Sequence, residues 1–265
     1  MVDVIFNADD FGLTTGVTEA IIEAAACGVV RSTSALVCRG NLELLRDAAP
    51  RFRGSIGLHL QLTDGVPCLP PERVPSLVDD DGRFPRNVSG LKAVAADEVY
   101  AEWRAQHARA RSLGIKPSHI DSHHHVHRRD EVLEVYVELA RSLGVPARSG
   151  DAAVRAALLR AGVPCPATCE TSWFRPRIEM ARLLATLRKN AARFCGEPIE
   201  FMCHPGYADD ELRAASTLVE QRQEELALLT APELGATLKN GGYRAITMTA
   251  LAERDEDWGV IVAPI

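Results

Sequence analysis

The segment HIDSHHHVHR, residues 119–128, contains five of the chain's eight histidines and one aspartate. Imidazole nitrogens bind divalent metals such as zinc, and they also transfer protons near neutral pH. Residues two apart in an extended strand face the same way, so a strand here would place on one face His119, Asp121, His123, His125 and His127. The segment therefore indicates a site that binds a metal or transfers protons.

A helical interpretation of this segment is weaker. It would pair His123 with His127, as in the His-Glu-x-x-His zinc motif, but the second position of that motif is His124 and not glutamate. A glycine and a proline also precede the segment closely. We therefore predict a strand that ends near His125, with a helix beginning at about Asp130.

Other aspartates and histidines follow predicted strands elsewhere in the chain. Asp9 and Asp10 end the apolar run VDVIFNADD, His59 lies in SIGLHLQL, and His204 ends EFMCH. In β/α barrels the active-site residues occupy the C-terminal ends of the strands. Each position alone has an ordinary structural explanation, but together they predict one shared site.

Apolar, β-rich runs alternate with segments of helical period along the whole chain. Seven or eight strands, each followed by a helix, predict an α/β fold with a mostly parallel sheet, closed or nearly closed into an irregular TIM-like β/α barrel. No Gly-x-Gly-x-x-Gly follows the first strand, which argues against a dinucleotide site. We expect a single domain that covers residues 1–265.

One stretch, residues 63–95, interrupts this alternation and is rich in proline and glycine. It is too long for a plain connection, and such loops are commonly functional. We expect a loop or lid over the site; a disordered insertion is the alternative.

Composition and charge restrict the classes of partner. With 46% hydrophobic and 25% charged residues, the chain is typical of a globular protein. A net charge of −6, without basic clusters, argues against nucleic acid and anionic membranes as partners.

Seven cysteines without a Cys-x-x-Cys pair, and a start without signal-peptide features, favour a cytoplasmic protein with reduced thiols. A homodimer is expected from base rates alone.

Five motifs resemble one known family. NADDFGLTTGV, STSALV, GLHLQLTDG, HIDSHHHVH and EFMCHPG occur in this order between about residues 4 and 206. In combination they are similar to the YdjC family of carbohydrate deacetylases, the chitooligosaccharide deacetylase group. Arg128 and Arg129, and the proline-rich loop after His59, depart from the family pattern near the expected substrate position.

The resemblance implies a β/α barrel that removes an N-acetyl group from an amino sugar or oligosaccharide. It implies one divalent ion held by Asp10, His59 and His123, with Asp9 as the catalytic base. By analogy with related polysaccharide deacetylases, His204 would be the general acid, and His125 is the alternative. Magnesium or zinc is expected, and cobalt, manganese and iron also suit such ligands.

Further residues near predicted strand ends are candidates for substrate contacts. Aromatic rings stack on sugars and arginines bind oxygen atoms, so the candidates are His125, His127, Arg148, Trp173, Phe174 and Arg175. Three other functions remain open: a metal-dependent phosphoesterase of similar fold, a non-heme iron oxygenase, and a sugar-binding relative without catalytic activity. Metal stoichiometry, dependence on O₂ and turnover distinguish them.

Overall fold

The computed structural model describes residues 1–174 and 177–254. The described strands are β1 (Val2–Phe11), β2 (Ser32–Ala35), β3 (Ser55–Leu60), β4 (Ile120–Ser122), β5 (Thr168–Glu170), β6 (Ile199–Cys203) and β7 (Tyr243–Ala245). The described α-helices are α1 (Thr15–Ala26), α2 (Leu42–Ala48), α3 (Ala96–Ser112), α4 (Asp130–Leu143), α5 (Ala152–Arg160), α6 (Met180–Arg193), α7 (Asp210–Ala215), α8 (Glu220–Leu229) and α9 (Pro232–Asn240). None of these helices is long and apolar enough to cross a membrane.

The seven strands form one parallel sheet in the order β4-β3-β2-β1-β6-β5, with β7 beside the start of β1. The predicted α/β class is confirmed, and within the described residues the sheet is a half-barrel whose edges are β4 and β5. Residues 145–149 contribute only a single parallel bridge to the sheet, between Ile120 and Ala147.

Strand β1 is the centre of the sheet and of the core. All its residues after Val2 are buried, because strands flank it on both sides and helices cover the sheet. Phe6 packs against Phe201 of β6 with ring centroids 5.6 Å apart, and Trp173 packs against Phe201 at 6.4 Å. Burial of each such side chain contributes about 1.5–3 kcal/mol to stability. The strand that carries the two aspartates is therefore firmly fixed.

Helix starts follow the capping residues that the sequence indicates. The Thr14 hydroxyl accepts a hydrogen bond from the Val17 backbone N–H at the start of α1. The Asn41 side chain accepts from Glu43 and Leu44 at the start of α2. Threonine and asparagine are typical N-cap residues, and each satisfies backbone donors that a helix leaves unpaired at its start.

The end of β1 contains a bulge that directs the two aspartates. Between Ala8 and Phe11 the strand advances three residues while its partner β2 advances two. Asp10 has a φ of 71°, in the left-handed region. In a regular strand, neighbouring side chains point to opposite faces. The bulge brings the carboxylates of Asp9 and Asp10 to the same side, where both approach His59.

The loop at residues 63–95 is packed against the body of the protein. It contains two short 3-10 turns, Pro71–Arg73 and Val88–Gly90, and a bridge between Gly65 and Phe84. Val74 and Leu77 are fully buried. A disordered insertion would not bury these side chains, so the structure favours an ordered loop.

Candidate active site

Strands β1, β3, β4 and β6 carry their polar residues to one cavity of about 580 Å³ at the C-terminal edge of the sheet. The cavity is lined by six of the residues predicted for the site, which are Asp9, Asp10, His59, His123, His125 and His204. This is the position where parallel β/α folds carry their active sites.

Asp10, His59 and His123 lie close enough to hold one metal ion. The Oδ1 atom of Asp10 is 3.7 Å from Nε2 of His59 and 3.4 Å from Nδ1 of His123. Adjacent ligands around an ion with bonds of about 2.1 Å stand roughly 3.0–3.4 Å apart. A small inward movement of His59 would therefore give coordination distances.

Hydrogen bonds hold two of the three ligands, His59 and Asp10, by the atom that faces away from the shared site. Nδ1 of His59 lies 2.7 Å from Oδ1 of Asp121, so the ionised aspartate accepts the Nδ1 proton and leaves the Nε2 lone pair free. Nη2 of Arg222, on α8, donates to Oδ2 of Asp10 at 2.5 Å. Oδ1 of Asp10 is buried without a hydrogen-bond partner among the described residues. A buried, unpaired carboxylate oxygen is costly, and a cation at this point would satisfy it.

A third aspartate, Asp64, lies beside His123, the remaining histidine of the group. Its Oδ2 atom lies 3.7 Å from Nε2 of His123, and the guanidinium of Arg39 forms an ion pair with the same carboxylate. Asp64 also has a positive φ of 58°. His59 and His123 are thus each accompanied by an aspartate on the side away from Asp10, although the Asp64 contact is longer than a hydrogen bond.

Asp9 is held by a fully buried arginine. Nη1 and Nη2 of Arg148 donate to the two carboxylate oxygens of Asp9 at 2.8 and 2.7 Å. The same guanidinium contacts Asp121 at 3.0 Å and Glu200 at 2.7 Å. Burial alone would raise the pKa of Asp9, but the charges of Arg148 and His59 outweigh it and hold that pKa well below its ordinary value. Asp9 is therefore an oriented carboxylate that stays ionised.

Asn7 also orients Asp9. Its side-chain N–H donates to Oδ1 of Asp9 at 2.8 Å, and its carbonyl oxygen lies 3.1 Å from Nε2 of His119. Burial lowers the pKa of His119 to about 4, so this imidazole is neutral and donates to Asn7. His119 thus fixes the Asn7 amide and does not line the cavity.

A second group of possible ligands, Asp9, His59 and Asp121, overlaps the first at His59. Arg148 already contacts both of its carboxylates at 2.7–3.0 Å. A cation placed there would be repelled by the guanidinium at short range. The described residues around this cavity therefore favour one ion at Asp10, His59 and His123.

His204 lines the cavity just after β6. Its backbone N–H donates to Oε2 of Glu225 at 2.6 Å, and its ring contacts Phe174 edge-on. Burial, followed by the charge of Arg222, lowers the pKa of His204 to about 4, so its imidazole is neutral at pH 7. Its Nδ1 atom is buried and has no hydrogen-bond partner among the described residues. Because the residue lines the cavity, its ring is a candidate for proton exchange with a molecule bound there.

The histidine segment differs from the predicted strand after Ser122. Residues His123–Arg128 form a 3-10 turn, and His124 and His125 both have positive φ, of 53° and 52°. The alternation of faces therefore ends at Ser122, and the predicted extension of the strand to His125 is wrong. Because the chain turns, both of these histidines line the cavity beside His123.

Three residues predicted to contact substrate have no exposed surface. His127 stacks on Tyr136 and bonds to Ser122, and Trp173 donates to the backbone oxygen of Met202 at 2.8 Å. Arg148 is fully buried among carboxylates. Their predicted substrate contacts are corrected accordingly, since packing encloses all three side chains. Arg175 lies outside the described residues.

Phe174 and His125 remain near the cavity. Phe174 contacts the His204 ring, and its side chain is 7% exposed, too little for a stacking platform in this conformation. His125 lines the cavity, and burial lowers its pKa to about 3. His125 is thus the better placed of the two to meet a substrate.

Sequence reasoning missed the arginines around the site. Arg39, Arg86, Arg213 and Arg222 all line the cavity, from loops and helices that carry no recognisable motif. Asp64 had a signal, since it belongs to the quoted GLHLQLTDG motif directly after His59. Glu225, on α8, accepts the hydrogen bond from the His204 backbone N–H. No sequence motif marks this residue, and only its burial in the structure identifies it.

A larger cavity, of about 800 Å³, lies at the opposite edge of the sheet. It is lined by residues such as Ser55, Ser118 and Thr247, with Lys116 as its one ionisable side chain among those described. Among the described residues that line it, none could hold a metal or transfer protons at neutral pH. The smaller cavity is therefore the candidate active site.

The chain is similar to known proteins over most of its length. The model of the family described as YdjC-like protein matches residues 3–240. A carbohydrate deacetylase of Geobacillus stearothermophilus is 35% identical over 92% of this chain and 95% of its own length. A chitooligosaccharide deacetylase of Serratia marcescens is 34% identical over 90% of this chain and 95% of its own length.

A solved structure shares the fold over nearly the whole chain. The protein, from Enterococcus faecalis V583 and described as a putative cellobiose-phosphate cleavage protein, superposes with a TM-score of 0.85 at 36% identity. The match covers 94% of this chain and 98% of that one. With the family model matching from β1 through α9, the chain belongs to the YdjC-like family.

Proposed function

We propose that this protein is a metal-dependent hydrolase that removes an N-acetyl group from an amino sugar or oligosaccharide and releases acetate. Its curated relatives are carbohydrate deacetylases, which supports hydrolytic deacetylation of a sugar as the reaction class. The observation that carries the proposal is the convergence of Asp10, His59 and His123, with the ionised Asp9 beside them.

The donor set suits a divalent ion. Asp10 and His59 each have one atom held by the protein and one directed into the site, as described above. When bound, a divalent ion would polarise the amide carbonyl and activate a water molecule for attack. Two imidazoles and one carboxylate suit Zn²⁺, and the open positions also suit Mg²⁺.

Asp9 is the proposed general base. Both of its oxygens are oriented by Arg148, and Oδ2 lies 3.9 Å from Nε2 of His59, next to the ligand set. A water molecule that attacks an amide must lose a proton, and the nearby carboxylate can accept it. Because the Arg148 guanidinium favours the ionised form of Asp9, Asp9 readily gives up the proton that it accepts from water.

His204 is the proposed proton donor to the leaving amine. Because this imidazole is neutral in the free protein, it must receive its proton during the reaction, and the proton removed from water is available for this. Its unpaired Nδ1 supports such a transfer. The alternative donor, His125, has an unpaired Nδ1 of the same kind.

We also propose that the chain acts as one domain and that the loop at residues 63–95 covers the substrate. Asp64, at its start, approaches His123, and Arg86 lines the cavity. The loop thereby contributes directly to the walls of the site.

Acetate release from a panel of N-acetylated saccharides tests the proposal. We expect the wild type to release acetate, and Asp10→Asn and His123→Ala to release at least about 100-fold less while retaining the native circular dichroism spectrum. Asp47→Asn and His107→Ala, which change the same residue types on α2 and α3, should retain activity.

Two results would contradict the proposal. One is undiminished acetate release by both site variants. The other is the release of phosphate from phosphomonoesters, with no acetate from any saccharide, which would favour the phosphoesterase.

A further inference from the structure

A second group of metal-binding atoms lies outside the candidate active site. It comprises Cys38, just after β2, Cys68, in the loop at residues 63–95, and Glu102, on α3. Their ligand atoms lie within 4.8 Å of one another. Cys38 and Glu102 are buried, whereas Cys68 is half-buried. None of the three residues belongs to the group Asp10, His59 and His123.

The spacing of these atoms fits a tetrahedral ion. The two sulfur atoms are 3.7 Å apart, and Sγ of Cys38 is 3.8 Å from Oε1 of Glu102. Zinc–sulfur bonds of about 2.3 Å, arranged tetrahedrally, place neighbouring sulfurs about 3.8 Å apart. Two of the three separations thus match those around a tetrahedral ion, which would leave a fourth position for a further ligand.

The Glu102 carboxylate is fixed in place. It accepts hydrogen bonds from the backbone N–H groups of Cys68 and Leu69, at 2.8 and 2.9 Å, and from the Gln106 side chain at 2.8 Å. Hydrogen bonds of this kind commonly orient a carboxylate that binds a metal. They also connect the loop that carries Cys68 to α3.

The local charge suits a divalent cation. Once a metal ion displaces the thiol protons, the two sulfurs and Glu102 would supply three negative charges, and Arg109, which donates to the backbone oxygens of Val37 and Cys68, supplies one positive charge. A divalent ion would bring the net charge of this group to zero. Buried charges are tolerated when they are compensated in this way.

We propose that Cys38, Cys68 and Glu102 bind a second, thiophilic divalent cation such as Zn²⁺ or Cd²⁺, separate from the ion of the candidate active site. Three protein ligands and the exposure of Cys68 leave one position accessible to water, so the ion exchanges with solvent. It joins the segment after β2 and the loop at residues 63–95 to α3.

The same two thiols could instead form a disulfide. That reaction would need an oxidant and would make no use of the Glu102 carboxylate beside the sulfurs. The ordered third donor therefore favours a cation.

Cadmium titration of the reduced protein tests the proposal, because thiolates bound to cadmium absorb in the ultraviolet and imidazole or carboxylate ligands do not give this band. Cadmium bound by Asp10, His59 and His123 has no thiolate ligand and so does not contribute to this band, and Asp10→Asn weakens that site as a check. We expect one equivalent of Cd²⁺ to produce the band in the wild type and in Asp10→Asn. Cys68→Ser should lose it, and Glu102→Gln should weaken cadmium binding at least tenfold.

Cys27→Ser is the matched control, since it removes an exposed thiol just after the end of α1 and should retain the band. Folding of each variant is checked by circular dichroism. The proposal is overturned if the reduced wild type gives no band, or if the band survives in Cys68→Ser. It is likewise overturned if the protein takes up no cadmium and mass spectrometry finds a Cys38–Cys68 disulfide instead.

Discussion

Nδ1 of His59 lies 2.7 Å from Oδ1 of Asp121, and both side chains are almost completely buried. The two residues are paired across neighbouring strands, since His59 of β3 is in register with Asp121 of β4. The sheet itself thus sets the tautomer of the imidazole, because the carboxylate accepts the Nδ1 proton and Nε2 is left as the ligand atom.

Replacement of this carboxylate should weaken metal binding. Asp121→Asn keeps the shape of the side chain but removes the charge that fixes the tautomer, so we expect the metal affinity of the active site to fall about 10–100-fold. The measurement is a Mg²⁺ or Mn²⁺ titration followed by activity and by thermal stability. Asp47→Asn is the control, and an affinity equal to that of the wild type would show that the pairing has no role.

Removal of the Asp9 carboxylate should affect chemistry and leave metal binding intact. In Asp9→Asn the amide still fits beside Arg148 but cannot act as a base, so kcat should fall about 10²–10⁴-fold. Metal content, measured by mass spectrometry, should match that of the wild type because Asp10, His59 and His123 are retained. Loss of the ion together with the activity would instead assign Asp9 to metal binding.

Chelation should abolish activity reversibly. The unpaired Oδ1 of Asp10 implies that an ion stabilises the folded state, so dialysis against a chelator should also lower Tm. Added Mg²⁺ or Zn²⁺ should restore both properties. Full activity in protein shown to be free of metal would contradict metal dependence.

Glu225 should make stability depend on pH. Burial raises its pKa from 4.5 to about 7. Between these values the folded protein binds the proton more tightly than the unfolded chain, so the free energy of unfolding should fall as pH rises, by at most about 1.4 kcal/mol per pH unit. Urea titrations at pH 5, 6 and 7 measure this slope.

Glu225→Gln removes the titrating group and should make that slope shallower. Glu200, whose pKa burial also raises to about 7, should account for part of the slope that remains. The exposed Glu233→Gln is the control. An identical slope in Glu225→Gln and the wild type would refute the assignment.

The chemistry at the strand ends was predictable from sequence. Asp10, His59 and His204 each follow an apolar run, and in a parallel sheet the carboxyl ends of such runs meet at one edge. Residue type and position along each strand were therefore enough to place these three side chains near the same cavity.

Local backbone geometry was not predictable in the same way. His124 and His125 take left-handed conformations in succession, which a pattern of alternating faces cannot anticipate. For Trp173, the strand pattern predicted a position near a strand end but not the packing against Phe201 that encloses the ring. Arg222 reaches Asp10 from 212 positions further along the chain, and no local motif marks such a contact.

The left-handed backbone at Asp10 restricts what this position accepts. Glycine would relax the main chain but offer no ligand, and a branched residue would suit a strand but strain at this dihedral angle. Aspartate and asparagine tolerate it best among residues with a coordinating oxygen. Asp10→Asn therefore removes the charge of this side chain while nearly keeping its shape. At residue 10 the effect of the charge can thus be measured without a change in backbone conformation.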